Sequence, residues 1–276
     1  ESTIRPSDFS CLVPALKSFR NKLDINTTIS GTSTSVRIHS LGIIGRSIYL
    51  NANGSLNNWQ SKKPRWVADI KSLSLKGDGI KFISNNLGKQ LSIPIEITRL
   101  GNIVFKGAIG GYGKDVATKG MIRTDVGSAK LALGINGKNF SGHVETDGIS
   151  VGKIINNNKL GIVATKINAD GYINGNDIKI NAKGHIGNIE YNRYTYRNIN
   201  IDGLFSKKKA SMHFNGKLDI NDPNGKIAIK GDLSKLGKIT KANITASIDH
   251  FNPNALKLIG SYPSTEFSAN LRANFI

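Results

Sequence analysis

Residues 213–234 read HFNGKLDINDPNGKIAIKGDLS. Apolar side chains fall on alternate positions: Phe214, Leu218 and Ile220, then Ile227, Ile229 and Leu233. A period of two marks a β-strand with one apolar face, because successive side chains point to opposite sides. Between the runs lies Asn221-Asp222-Pro223-Asn224-Gly225, whose residues suit a tight reversal. The stretch therefore predicts a β-hairpin with an apolar side and a lysine side. The lysine side can face water. The apolar side needs a cover.

The same pattern fills most of the chain. Ile178, Ile180 and Ala182 alternate with Lys179, Asn181 and Lys183. Ile189 and Tyr191 lead to a two-residue turn at Asn192-Arg193, and Tyr194 and Tyr196 return. Ile199 and Ile201 continue to a turn at Ser206–Lys209. Further strands are expected at 23–29, 35–39, 47–52, 66–75, 93–97 and 103–107, with Pro94 at an edge or strand start. Tight connections between short strands predict an antiparallel meander and leave no room for crossover helices. Strict alternation places Ile178, Ile180, Ile199, Ile201, Phe214, Leu218, Ile220, Ile227, Ile229 and Leu233 on one face, with Lys179, Lys217, Lys226 and Lys230 on the other.

Helix is expected only in short pieces. Residues 1–22 form a short helical opening segment, with Ser7 or Asp8 capping a helix over 8–20, and residues 23–276 form the sheet. Three later segments of helical spacing follow strand ends, at 80–84, 149–155 and 253–259. In the last, Asn252 is a suitable N-cap and Pro253 a suitable first residue.

Composition excludes several classes. With 38% hydrophobic residues, 30 Gly and 7 Pro, the chain reads as ordered and turn-rich. No run approaches the roughly eighteen apolar residues of a membrane-crossing helix. Residues 1–14 show no basic start followed by an apolar core, and 271–276 still alternate. The expectation is a segment of a longer protein with targeting elements elsewhere. The formal charge of +19 allows an anionic partner, but the lysines sit between apolar residues and read as a solvated face. No aromatic–basic interleaving supports a nucleic-acid partner.

Catalytic and metal signatures are not found. Cys11 is the single cysteine and reads as a small buried hydrophobe. His39, His143, His185, His213 and His250 are scattered, with no pair at metal-ligand spacing on one element. The glycines over 107–113 open no helix, so no phosphate loop is expected. The reading is of a protein that is not an enzyme and holds no cofactor.

Four phrases, in order along the chain, carry a resemblance. They are the opening stretch Asp8–Lys17, the segment GISVGKIINNNKLG over 148–161, the tyrosine hairpin within Gly184–Gly203, and Phe214–Asn224 with its Asp-Pro-Asn turn. Together they resemble the TamB branch of the AsmA-like proteins, in the form found in Bacteroidetes bacteria. The resemblance implies an all-β fold: an elongated, curled antiparallel sheet, a β-taco or open half-pipe, whose apolar face lines a groove. It implies a periplasmic segment of a protein anchored in the inner membrane outside this chain. It also implies phospholipid as cargo, and an outer-membrane assembly barrel protein as partner. The groove-lining residues would be the ten apolar positions named above.

Periodicity alone suits a self-filled β-sandwich or barrel equally well. A transmembrane barrel fits less well, because aromatics are 7% with two Trp and several runs are short. An adhesin-like surface-binding fragment would use aromatic platforms, for which Trp59 and Trp66 are the Trp candidates.

Overall fold

The computed structural model of the chain describes residues 2–4, 7, 17, 21–87, 94–237, 239–259 and 265–275. The all-β expectation holds. The strands lie in one antiparallel sheet, side by side in chain order, and the sheet does not close into a barrel. The chain folds as two compact units, residues 1–132 with 153–155 and residues 133–152 with 156–276.

Unit 1 contains β1 (Ser2–Ile4), β2 (Leu23–Gly31), β3 (Ser35–Ile44), β4 (Ile48–Asn57), β5 (Arg65–Leu75), α1 (Gly79–Leu87), α2 (Ile95–Thr98), β6 (Ile103–Tyr112) and β7 (Asp115–Thr124). The unit boundary falls within β8 (Gly127–Asn136). Antiparallel register stacks Ile43, Leu50, Leu73, Phe105 and Ile122 in one row across β3–β7. The end of this apolar face is covered by α1. Ile80 and Ile83, three residues apart and so on one helix side, pack with Leu75 and Ile103, beside Ile48 and Leu100. Gly79 permits that approach, since a Cβ there would lie 2.7 Å from the Ser47 carbonyl oxygen.

Unit 2 contains β9 (Asn139–Ser150), β10 (Leu160–Asn174), β11 (Asp177–Tyr191), β12 (Tyr194–Lys208), β13 (Ser211–Asp222), β14 (Gly225–Leu236), β15 (Ile239–Phe251) and β16 (Phe267–Phe275), while the short helix α3 (Val151–Ile155) is divided, its first two residues in unit 2 and 153–155 in unit 1. The hairpin expected at 213–234 is β13–β14, paired from Ser211↔Leu236 to Asp222↔Gly225, with Pro223-Asn224 as the turn. The Asn192-Arg193 turn also forms. Both residues are left-handed, with φ of 50° and 66°, as a type I′ reversal requires.

Several expectations are corrected. Residues 94–97 do not form a strand: Ile95–Thr98 is the short helix α2, with Pro94 at its N-cap position. The Ile-Glu-Ile alternation mimics a strand over too few residues to be diagnostic, and Pro94 suits a helix start. Residues 253–257 make turns without forming a helix. Asn252 still caps them, since its Oδ1 accepts from the Ala255 N–H at 2.9 Å. Strand β12 runs past Ser206 to Lys208, so its turn is Lys209-Ala210. The glycines at 107, 110 and 111 lie inside β6. Expected helix at 80–84 is α1, and that at 149–155 begins at Val151, because Ile149 and Ser150 finish β9. The helix expected over 8–20 lies outside the described residues, apart from Lys17.

Burial decides between a packed core and an open face. The chain exposes 18026 Å². A compact protein of 29.8 kDa would expose about 11,600 Å², and two separate compact bodies of half that mass about 14,000 Å². Exposed strand side chains such as Ile135, Phe214 and Leu271 are part of that surplus. Among the described residues the fully buried hydrophobics are few, and Leu75, Ile80 and Leu256 lie where short segments cover a sheet end.

Candidate functional site

The ten apolar residues expected to share a face do so. Cross-strand partners in an antiparallel ladder lie on the same side, so the register can be followed from strand to strand. Four rows run across unit 2. The first joins Ile186, Ile199, Ile220, Ile227 and Ile248. The second joins Ile167, Gly184, Ile201, Leu218, Ile229, Ala246 and Leu271. The third is made of small residues over most of its length: Gly142, Ala169, Ala182, Gly203, Gly216 and Gly231, ending in Ile244 and Ala273. The fourth carries Ile180, Phe205, Phe214, Leu233, Ala242 and Phe275. Ile178 lies one row further out, level with Lys207, Met212 and Lys235.

Low ground in the third row, between taller second and fourth rows, makes a furrow that crosses the strands. A cavity of about 420 Å³ lies there. Its lining includes Ile180, Ile201, Phe214, Leu218, Ile229 and Leu233. Ile178, Ile199, Ile220 and Ile227 share the face but not the cavity. The furrow is open: Phe214 is 46% exposed, Leu233 40% and Leu271 53%. Large apolar side chains in such numbers on one sheet face are not scattered exceptions of the ordinary kind.

Phe205 and Ile244 also line the cavity and were missed by the sequence reading. Phe205 was lost because the turn was expected one residue later, at Ser206. Extending the alternation of Ile199 and Ile201 two more steps finds it. Ile244 continues the same alternation in Ile244-Thr245-Ala246-Ser247-Ile248.

One long side of this face is capped. Leu256, only 2% exposed, is the buried residue of the 252–259 turn segment. Tyr196 donates from its hydroxyl to the Leu256 carbonyl at 3.0 Å, and the Asn252 N–H donates to the Asn224 carbonyl at 2.9 Å. Beneath them Asp222, 3% exposed, accepts from the Tyr194 hydroxyl and from the backbone N–H groups of Arg197 and Asn224. Asn224 Nδ2 donates to the Tyr194 hydroxyl at 2.9 Å, and the Tyr194 and Tyr196 rings meet edge to face at 4.7 Å. Burial, then the hydrogen bond to the Asp222 carboxylate, raises the Tyr194 pKa above its ordinary value. Burial does the same for Tyr196. Both phenols are thus held neutral, as donors. This is a structural latch: every polar group in it is occupied.

The opposite face is polar. Lys179, Lys217, Lys226 and Lys230 lie there, as expected, and Lys183 pairs with Asp202 at 3.0 Å. Lys207 and Lys235 depart from the expectation that lysines take the solvated face. Their register puts them on the apolar side, at its uncapped lip. Trp66 stands in an apolar row of unit 1, opposite Gly111, while Trp59 lies in the loop before β5. Among the described residues no cluster of His, Cys, Asp and Glu could hold a metal ion.

No protein-family model matches this chain, no curated protein sequence matches it, and no solved structure matches its fold.

Proposed function

We propose that this chain is a periplasmic segment of a TamB/AsmA-like protein, and that its apolar furrow carries phospholipid acyl chains between inner and outer membrane in support of outer-membrane biogenesis. The observation that carries the reading is the open, strand-crossing furrow on unit 2, floored by Gly203, Gly216 and Gly231 and walled by Leu218, Ile229, Phe214 and Leu233. A self-filled sandwich would bury these walls against a second sheet, and Phe214 and Leu233 are instead substantially exposed.

The energetics suit a sliding ligand. Burying half of a sixteen-carbon chain contributes roughly 6 kcal/mol at about 0.8 kcal/mol per methylene. That lowers the barrier to an aqueous path without locking the chain in place. An aliphatic floor and walls supply no directional bond to a methylene, so one register of the chain is as good as the next. The inner-membrane anchor lies outside this chain in the proposal, and the outer-membrane assembly barrel protein is the proposed receiver. No reaction is assigned to it.

Native mass spectrometry of the chain purified from cells tests the reading. Phospholipid retained on the folded protein supports it. A lipid-free spectrum, unchanged after incubation with phospholipid, removes it.

A further inference from the structure

Resting on the lipid-furrow reading, we infer that the uncapped lip of unit 2 holds the phosphate of an anionic lipid, with Lys207 and Lys235 as its cationic partners. The two face each other through Met212. Lys207 pairs with Met212 across β12–β13, and Met212 with Lys235 across β13–β14. All three lie on the apolar side, next to the row of Phe205, Phe214 and Leu233 that forms the cavity's outer wall. Adjacent rows are two residues apart along a strand, about 7 Å. That is the reach of a glycerol phosphate whose acyl chain enters the furrow.

A lysine on an apolar face needs an explanation that the lysines of the polar face do not. Lys183 has Asp202 beside it. Neither Lys207 nor Lys235 has an ion-pair partner among the described residues. Lys207 and Lys235 lie two strands apart, about 10 Å, a gap that one phosphate held between the two ammonium groups can bridge. Three of the four tips that form this lip are basic: the described residues of 136–139, 206–212 and 234–241 contain six lysines and no carboxylate, while 173–178 holds one carboxylate, Asp177, and no lysine. That carboxylate is engaged, since the Tyr172 hydroxyl donates to it at 2.9 Å. A zwitterionic head group would bring its own cation into this rim and find little to balance it. A phosphate without a neighbouring amine finds charge-assisted hydrogen bonds from both sides. The capped side of the sheet is more nearly balanced, with Glu190, Asp222 and Asp249 beside Lys159, Arg193, Arg197, Lys226 and Lys257.

The test is a binding titration of the 276-residue chain with acyl-chain-labelled phosphatidylglycerol and, separately, phosphatidylcholine, both below the concentration at which they aggregate. The expected result is a preference of about tenfold for phosphatidylglycerol, as charge-assisted hydrogen bonds allow. Lys207→Gln/Lys235→Gln should abolish the preference by lowering phosphatidylglycerol affinity to the level of phosphatidylcholine. Lys179→Gln/Lys241→Gln removes the same charge from the opposite face of the same lip, and should keep the preference. Equal affinity for both lipids in the unaltered chain overturns the head-group assignment while the furrow reading stands. Loss of preference in both double variants overturns it too, in favour of diffuse attraction by net charge. Failure of both lipids to bind removes the furrow reading and this inference with it.

Discussion

Gly216 faces Gly231 across the β13–β14 ladder, and on its other side faces Gly203 across β12–β13. Three strands therefore meet in a row without a side chain, directly between the Leu218–Ile229 pair and the Phe214–Leu233 pair. The three sites differ in tolerance. A Cβ on Gly216 would lie 2.7 Å from the Asp202 carbonyl oxygen and the Gly203 Cα, both backbone atoms that cannot step aside alone. A Cβ on Gly203 would find its nearest atoms, the Phe214 ring and the Asn215 carbonyl oxygen, at 3.3 Å. Gly216→Ala should therefore cost about 1–3 kcal/mol, in the range of backbone-strain substitutions, and Gly203→Ala clearly less. Thermal or urea unfolding of the two variants checks the order. The reverse order would mean that the ladder is not packed as described.

Ile229→Arg separates an open furrow from a closed core. In a closed core an unpaired arginine costs several kcal/mol and the fold fails. At an open furrow its long side chain reaches water, so the melting temperature should fall only a little. Lipid binding should drop sharply, because a charge then interrupts the apolar path between Leu218 and the Gly231 floor. Lys230→Glu, on the opposite face, should leave both unchanged. Outright unfolding of Ile229→Arg would contradict the open face.

The cap should behave as a unit. Leu256→Ala empties a site that is 2% exposed, and large-to-small changes at buried leucines cost about 2–5 kcal/mol. Tyr194→Phe removes the hydroxyl that serves Asp222, leaving a buried carboxylate short of one donor, at a cost of about 1–3 kcal/mol. Because both residues secure the same turn, the double variant should cost less than the sum of the two single ones. Hydrogen exchange at Asn224, Leu256 and Leu258 should accelerate in each single variant while the centre of β13–β14 stays protected.

His250 supplies a pH dependence. Its Nδ1 lies 2.6 Å from Glu266 Oε1, with Asp249 at 3.4 Å from Nε2, joining the end of β15 to the approach to β16. Its pKa is raised, first by the hydrogen bond with Glu266, then by the charges of Asp249 and Glu266. A raised folded-state pKa means that the protonated form stabilises the fold. The contribution is complete below the ordinary imidazole value of 6.5 and is lost as pH climbs through the higher folded value. The melting temperature should decline slightly over that window, and His250→Gln should flatten the decline. An imidazole titration by NMR that falls at or below the ordinary value would refute the assignment.

Much of this arrangement was legible in the sequence. Alternation at 178–182, 199–201, 214–220 and 227–233 set the faces, because a one-residue slip would have turned every isoleucine into water. The Asn-Arg and Pro-Asn turns were readable from residues that favour reversal. Short elements were less legible. Ile95–Thr98 has four residues, too few for a period of two to be told from one of 3.6. The furrow itself could not be read from any one strand. Gly203, Gly216 and Gly231 each look like an ordinary interruption of a strand, and only the pairing register brings them into line. Nor could the placement of Lys207 and Lys235 be read without knowing that β12 continues to Lys208.

The central claim is that acyl chains occupy the apolar side of unit 2. The most direct test places a photo-activatable side chain at position 214, in the furrow wall, and separately at position 215, its neighbour on the opposite face, and analyses the cross-linked protein from intact cells for attached phospholipid. The account predicts strong lipid labelling from position 214 and little from position 215. Equal labelling from the two positions, or none from position 214 in a chain that melts normally, would contradict it.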